Sequence, residues 1–245
     1  MGSRDVDPVN ADDPLPVERV QGGFHVVIDG FFNPMILLPK WLGEQGLLRL
    51  KEVESANKTL TANPAFVAFN TSGLSFVCSP QTLEVFSNNE GHVLVIRDLI
   101  QSVFTLLSHT PLKTLTISRS GHFGVASPPG EEVVTPSWDP LLPRSVFAPV
   151  LRSPGLSDLA AKGPGILPLP GSETVVSVQP SEISEASLFV ECRYSGSLED
   201  GDGRSGAVVL TDLLKDCLEQ AERHSQTVFA HFCDLLFRPT SAGRS

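Results

Sequence analysis

Basic charge, cysteine pairs and long apolar runs are all in short supply in this chain. Its 18 lysines and arginines face 28 aspartates and glutamates, a formal charge of -10. A surplus of that sign is repelled by phosphate backbones and anionic lipid, so nucleic-acid and membrane partners are disfavoured, and its plainer effect is solubility. The four cysteines, at 78, 192, 217 and 233, show no CxxC spacing and no histidine-rich partner segment. Neither a zinc site nor a redox pair is signalled, and buried free thiols are expected. No apolar run approaches the ~20 residues that a spanning helix needs, and no basic segment followed by an apolar one opens the chain. The expectation is a cytosolic protein with reduced thiols. Met1-Gly2-Ser3 fits an N-myristoylation signal only as far as Val6, where serine or threonine is preferred.

What is present is enough apolar material, 41% of 245 residues, for one large domain or two small ones. The stretch Ile96-Arg97-Asp98-Leu99-Ile100-Gln101-Ser102-Val103-Phe104 returns 114 positions later as Leu210-Thr211-Asp212-Leu213-Leu214-Lys215-Asp216-Cys217-Leu218, polar and apolar places in step. Such an echo predicts two similar units with a binding surface at or across their junction.

Residues 1–22 are rich in Asp and Pro and read as a disordered acidic tail. The first unit, 23–111, begins with a strand at Phe24-His25-Val26-Val27-Ile28. Pro39 and Trp41 then sit in a short helix from Leu37 to Leu48. Strands are predicted at Ala65–Phe69, Leu74–Cys78, Leu83–Phe86 and Val93–Ile96, followed by a helix from Asp98 to about Ser108. The second unit, 112–237, repeats the order: a strand at Leu112–Ser118, a short helix from Trp138 to Val150, and a Pro/Gly-rich irregular insertion at 152–173. Strands follow at Thr174–Val178, Ser187–Tyr194 and Ala207–Leu210, then a helix from about Asp212 to Phe237, with 238–245 a flexible tail.

The fold class is therefore α+β, in two units, each a strand, a short helix, antiparallel strands and a long helix packed on the sheet. That order is similar to the TATA-binding-protein fold and to hotdog and helix-grip domains, an analogy of fold alone. One continuous sheet shared by both halves is compatible with the same string.

The most distinctive segment runs from Leu107 to Phe123, a helix end, the turn His109-Thr110-Pro111 and a strand closing on His122-Phe123. With Asn33-Pro34, Pro39 and Trp41 it resembles a family of conserved bacterial proteins that have no established activity. The resemblance implies neither a substrate nor a catalytic residue. Twice as much Arg as Lys, with 20 Gly and 20 Pro, fits a GC-rich bacterial or phage source.

His109 stands where an imidazolium meets the negative end of a helix dipole, and a capping role outweighs catalysis. Arg119, Ser120 and His122 lie together near a strand end, where a nucleophile and base could meet, though no Gly-x-Ser-x-Gly elbow frames the serine. These four are the weak catalytic candidates. Cys217, His224 and His231 stand seven apart, about 10 Å per step along a helix, too far to share one ion unaided. With Val228, the two histidines make a half-polar stripe that suggests an interaction surface. The loop Leu198-Glu199-Asp200-Gly201-Asp202-Gly203 lacks the twelfth-position acid of a calcium loop, and Glu52, Glu54, Glu131 and Glu132 lie in polar surface segments. No cofactor and no metal are expected. The leading reading is a non-enzymatic cytosolic protein that acts through a protein partner or self-association. The alternative is a small-ligand-binding protein or hydrolase with a cleft between sheet and long helix.

Overall fold

The computed structural model describes residues 17–71, 73–125, 159–183, 187–199 and 203–236. They form an α+β fold on a single nine-stranded sheet of order β2-β3-β4-β5-β1-β6-β9-β8-β7, every neighbouring pair antiparallel. The strands are β1 (Val17–Gly30), β2 (Thr61–Asn63), β3 (Phe66–Asn70), β4 (Ser75–Cys78), β5 (Thr82–Ser87), β6 (Leu112–Val125), β7 (Leu159–Pro164), β8 (Glu173–Pro180) and β9 (Ser187–Ser197). Four α-helices among the described residues join them: α1 (Pro39–Glu44), α2 (Leu50–Thr59), α3 (Val93–Leu106) and α4 (Gly206–Leu236). The compatible alternative of one continuous sheet is the arrangement found, with the two 14-residue strands β1 and β6 paired at its centre.

The core lies on one side of the sheet. Alternate strand residues, among them Phe24, Val26 and Ile28 on β1 and Leu115 and Ile117 on β6, are at most 1% exposed and join Leu42, Ala56, Ile100, Phe104, Leu214 and Phe229 of the helices in one apolar cluster. A period of 2 on the strands thus meets a period of 3.6 on the helices. Every described helix contributes to that cluster, so the opposite side of the sheet carries none of them. The segments of the sequence echo fall on α3 and α4, which pack on each other, and Gln101 donates to the Thr211 carbonyl at 3.3 Å.

Several boundaries differ from the sequence reading, each for a local reason. β1 begins at Val17 and pairs as far as Val125, so its first six residues lie in the stretch expected as tail. Val93–Ile96 and Ala207–Leu210 are helical, not strands. Val93, Ile96, Ile100 and Val103, like Ala207, Leu210, Leu214 and Cys217, are buried at helical spacing, and a four-residue apolar run alone cannot separate the two cases. α2 has no counterpart among the expected elements because only Ala56 of its ten residues is buried; it starts where Glu52 accepts from the Arg49 N–H at 2.7 Å. β7 occupies part of the expected irregular insertion, and its Gly163 and Pro164 are tolerated because it is an edge strand. The helix expected over 138–150 lies outside the described residues. No helix among the described residues is long and apolar enough to cross a membrane.

Candidate functional site

Neighbours along β6 point to opposite sides of the sheet, which divides the sequence candidates between two environments. Arg119 shares the helix side with Ile117 and Phe123 and is 2% exposed. Ser120 and His122 stand on the open side. His109 follows the last turn of α3, exposed and without a hydrogen bond among the described residues. It precedes β6, while His122 lies ten places along the strand from Leu112, roughly 33 Å at a rise of about 3.3 Å per residue. The four candidates do not converge on one cleft.

On the helix side, Arg119 belongs to a four-membered ion cluster. Its Nη2 donates to Glu90 Oε1 at 3.1 Å, its Nη1 lies 3.5 Å from Glu222 Oε1 on α4, and its guanidinium carbon is 5.8 Å from the Phe24 ring centroid. Arg19 of β1 pairs with the same Glu90 oxygen, donates to the Ser120 carbonyl at 2.6 Å and covers Phe229 at 4.7 Å. Gly22 and Gly121 make room for it: a Cβ on Gly22 would stand 2.6 Å from Arg19 Nη2, and one on Gly121 would stand 2.7 Å from Nε. Two cations and two carboxylates cancel around Arg119, the one buried member, the other three being 25–43% exposed; an unpaired buried guanidinium would cost several kcal/mol. The Arg119 Nε and Nη1 atoms nevertheless have no hydrogen-bond partner among the described residues.

Glu90 owes its place to a loop that is itself tied down. Ser87 Oγ donates to the Gly73 carbonyl at 2.7 Å and accepts from the Asn89 N–H at 3.0 Å, with His92 Nδ1 also 3.0 Å away. The β5–α3 loop is thereby fixed to the β3–β4 turn, where Gly73 takes a φ of 104°.

Deeper under α4, the fully buried Tyr194 hydroxyl meets His224 Nδ1 at 3.0 Å, with the two rings edge to face. Burial holds the phenol pKa well above its ordinary value and the imidazole pKa below 6.5. Both groups are therefore neutral at pH 7, and they share a single hydrogen bond. The apparent polar break in the α4 stripe is this inward bond: His224 is held by the sheet, Val228 packs on the core, and only His231 is exposed. Cys78, Cys192 and Cys217 are buried free thiols, each pushed up to about 12 chiefly by burial and so protonated and inert at neutral pH.

The open side is polar. Arg193 pairs there with Glu191 at 3.0 Å and Lys162 with Glu173 at 2.7 Å, while the Glu84 carboxylate meets His25 at 3.2 Å and Asp29 accepts from Thr114. Between them run Thr116, Ser118, Ser120 and Ser195, with Val27 and Phe86. Among the described strand residues Arg193 is the one arginine on this side, so no basic patch offsets the acidic balance. His122 Nδ1 lies 2.8 Å from Ser181 Oγ, and its ring is 4.8 Å from that of Phe189. Burial lowers the His122 pKa against the opposing charge of Glu182. The partner is thus Ser181, in the turn after β8, and not the adjacent Ser120; 59 residues separate the pair in sequence, and no spacing motif could have joined them.

Among the described residues no three His, Cys, Asp or Glu side chains are grouped as a metal site would need. Glu199 and Gly203 of the acidic loop are described, and 200–202 lie outside, as do Glu131 and Glu132. No protein-family model and no curated protein matches the sequence.

Proposed function

We propose that this is a non-enzymatic, cytoplasmic protein of bacterial type, built from two related units, that acts by contact with a protein partner or a second copy through the open side of its sheet. The observation that carries this reading is the asymmetry of the sheet. One side is sealed by four helices; the other presents hydrogen-bonded charged side chains, hydroxyls and scattered apolar side chains along nine strands with no described helix above them. A surface of mixed polarity without a strong field suits a protein contact better than a phosphate backbone. The strand order, symmetric about β1 and β6 but for β2, is what two related units joined at the centre would give, and it supports the duplication read from the echo.

The test is size-exclusion chromatography with light scattering on the protein isolated from its native host, followed by mass spectrometry of what travels with it. Thr116→Arg with Ser195→Arg, at the centre of the open side, is expected to abolish the complex or self-association. Leu94→Arg, on an exposed position of α3, leaves it intact. A wild-type monomer without a partner contradicts the reading.

One observation favours the alternative of a hydrolase or small-ligand binder: the Ser181–His122 pair, whose imidazole is neutral at pH 7 and so able to accept a proton. The pair lies on the open side, however, while Phe123, Tyr194 and Phe229 are buried under α4 and the cavity beside that helix is lined by Ile166, Gln220, Arg223, His224 and Thr227, without Ser181 or His122. Labelling of Ser181 by a fluorophosphonate, lost in His122→Gln, would turn the assignment to that reading.

A further inference from the structure

Besides its suitability for protein contact, the open side ends in a cavity. It lies where the β3–β4 turn approaches the β5–α3 loop, has a volume of about 330 Å³ and is lined by Asn70, Thr71, Ser75, Phe86, Asn88 and Asn89, with no charged side chain among the described residues of its wall. We propose that this cavity binds a neutral polyhydroxylated ligand, a monosaccharide or the terminal residue of a glycan.

Three properties lead there. The first is the inventory of polar groups. Ser75 Oγ donates to Asn70 Oδ1 at 2.6 Å, which orients the Asn70 amide and leaves its NH2 and a Ser75 lone pair open. Asn88 is exposed, and its side-chain amide makes no hydrogen bond among the described residues, so it offers both a donor and an acceptor. Hydroxyl groups, each a donor and an acceptor, match such a mixed set, whereas an ion would find no counter-charge. The second is the Phe86 ring, 38% exposed and held edge to face by His25 at 5.8 Å. An exposed aromatic ring beside amides is a platform for the C–H face of a sugar ring. The third is preorganisation. Both walls are tied to each other by the Ser87 bond to the Gly73 carbonyl, and Asn89 Oδ1 is engaged by the Gly91 N–H at 2.9 Å, so little ordering is left to binding. The volume is at the lower end of ligand pockets, which fits one ring. The chain charge of -10 disfavours a nucleotide, whose base could also stack on Phe86 but whose phosphates would be repelled.

The experiment is an NMR titration of the uniformly 15N-labelled full chain with glucose, galactose, mannose and N-acetylglucosamine, each in turn, with uridine and inorganic phosphate as comparators. At least one sugar is expected to shift the Asn70 and Asn88 side-chain amide signals and saturate in the millimolar range. Phe86→Ala weakens that binding about tenfold and Asn88→Ala severalfold, with the remaining spectrum unchanged as proof that the variants are folded. Failure of all four sugars to move those amides overturns the proposal, as does saturation by uridine alone, or sugar shifts that survive Phe86→Ala undiminished. The outcome is independent of whether a protein partner is found, since the titration uses the isolated chain.

Discussion

Arg119 and Ser120 are adjacent in the chain and live in different solvents. Arg119 is sunk among Phe24, Glu90 and Glu222 under α4; Ser120 faces outward from a surface of hydroxyls and hydrogen-bonded charges. The helix side of β6 holds the fold together, through apolar burial and an ion cluster that must be complete to be tolerated. The open side contributes little to stability and is free to serve contact or binding. A serine two residues from a histidine and one from an arginine is thus not a site but the seam between two sites.

The contrast can be broken first on the helix side. Glu90→Ala removes the carboxylate shared by Arg19 and Arg119 and leaves a cation buried beside Phe24, which should cost about 3 kcal/mol, less than a fully enclosed pair because Glu222 remains and Glu90 is itself 38% exposed. Urea unfolding followed by fluorescence checks it; a loss under about 0.5 kcal/mol would mean that the cluster is ornamental. Gly121→Ala should follow at about 2 kcal/mol, because the new methyl meets both Arg19 Nε and the Phe123 ring at 2.7 Å. An unchanged denaturation midpoint would show that Arg19 can retreat freely.

A smaller effect is expected from pH. Burial holds His122 and His224 below the ordinary histidine value of 6.5, so the unfolded chain takes up protons before the folded one does. The contribution of both is complete above 6.5 and lost as pH falls through it towards the folded-state values. Unfolding midpoints compared above and below 6.5 should decline on the acid side, and His224→Gln should flatten that decline more than His122→Gln, since Tyr194 is the more buried partner. The smallest effect belongs to the open side: Ser120→Ala should change stability by less than about 0.5 kcal/mol in the same assay. A larger loss there would erase the distinction between the two faces.

Much of the fold is legible in the sequence, and the sites far less so. The strands from Phe24 to Phe86, except the fully exposed β2, are readable because period-2 alternation and the turn signals Thr71-Ser72-Gly73 and Ser79-Pro80 mark them independently. The α+β class follows from long amphipathic helices that need a sheet to cover. The helical state of Val93–Ile96 is within reach, since Ile96, Ile100 and Val103 continue one stripe, but a run of four apolar residues taken apart from its continuation suits a strand equally well. α2 carries too little apolar signal to be seen at all. For the sites, alternation along β6 is enough to place Arg119 and His122 on opposite faces from the chain alone. Ser181, Glu90 and Tyr194 are not to be found that way, because contacts between residues roughly 30 or more positions apart are set by strand order, which one sequence does not display. The half-polar stripe of α4 suggests a surface when taken by itself; the bond from His224 to the Tyr194 hydroxyl, 30 positions away, is what the chain alone does not display, while His231 is exposed.

The most direct measurement is thiol labelling on the open side. Arg193→Cys, in a Cys233→Ser background, places one reactive thiol at a side-chain position that is 54% exposed in the isolated chain, while Cys78, Cys192 and Cys217 stay buried and protonated. Fast reaction with a polar maleimide is expected in the isolated monomer and strong protection in the complex or self-assembled form. Equal rates in both states would contradict it, and would move the contact surface away from the open side of the sheet.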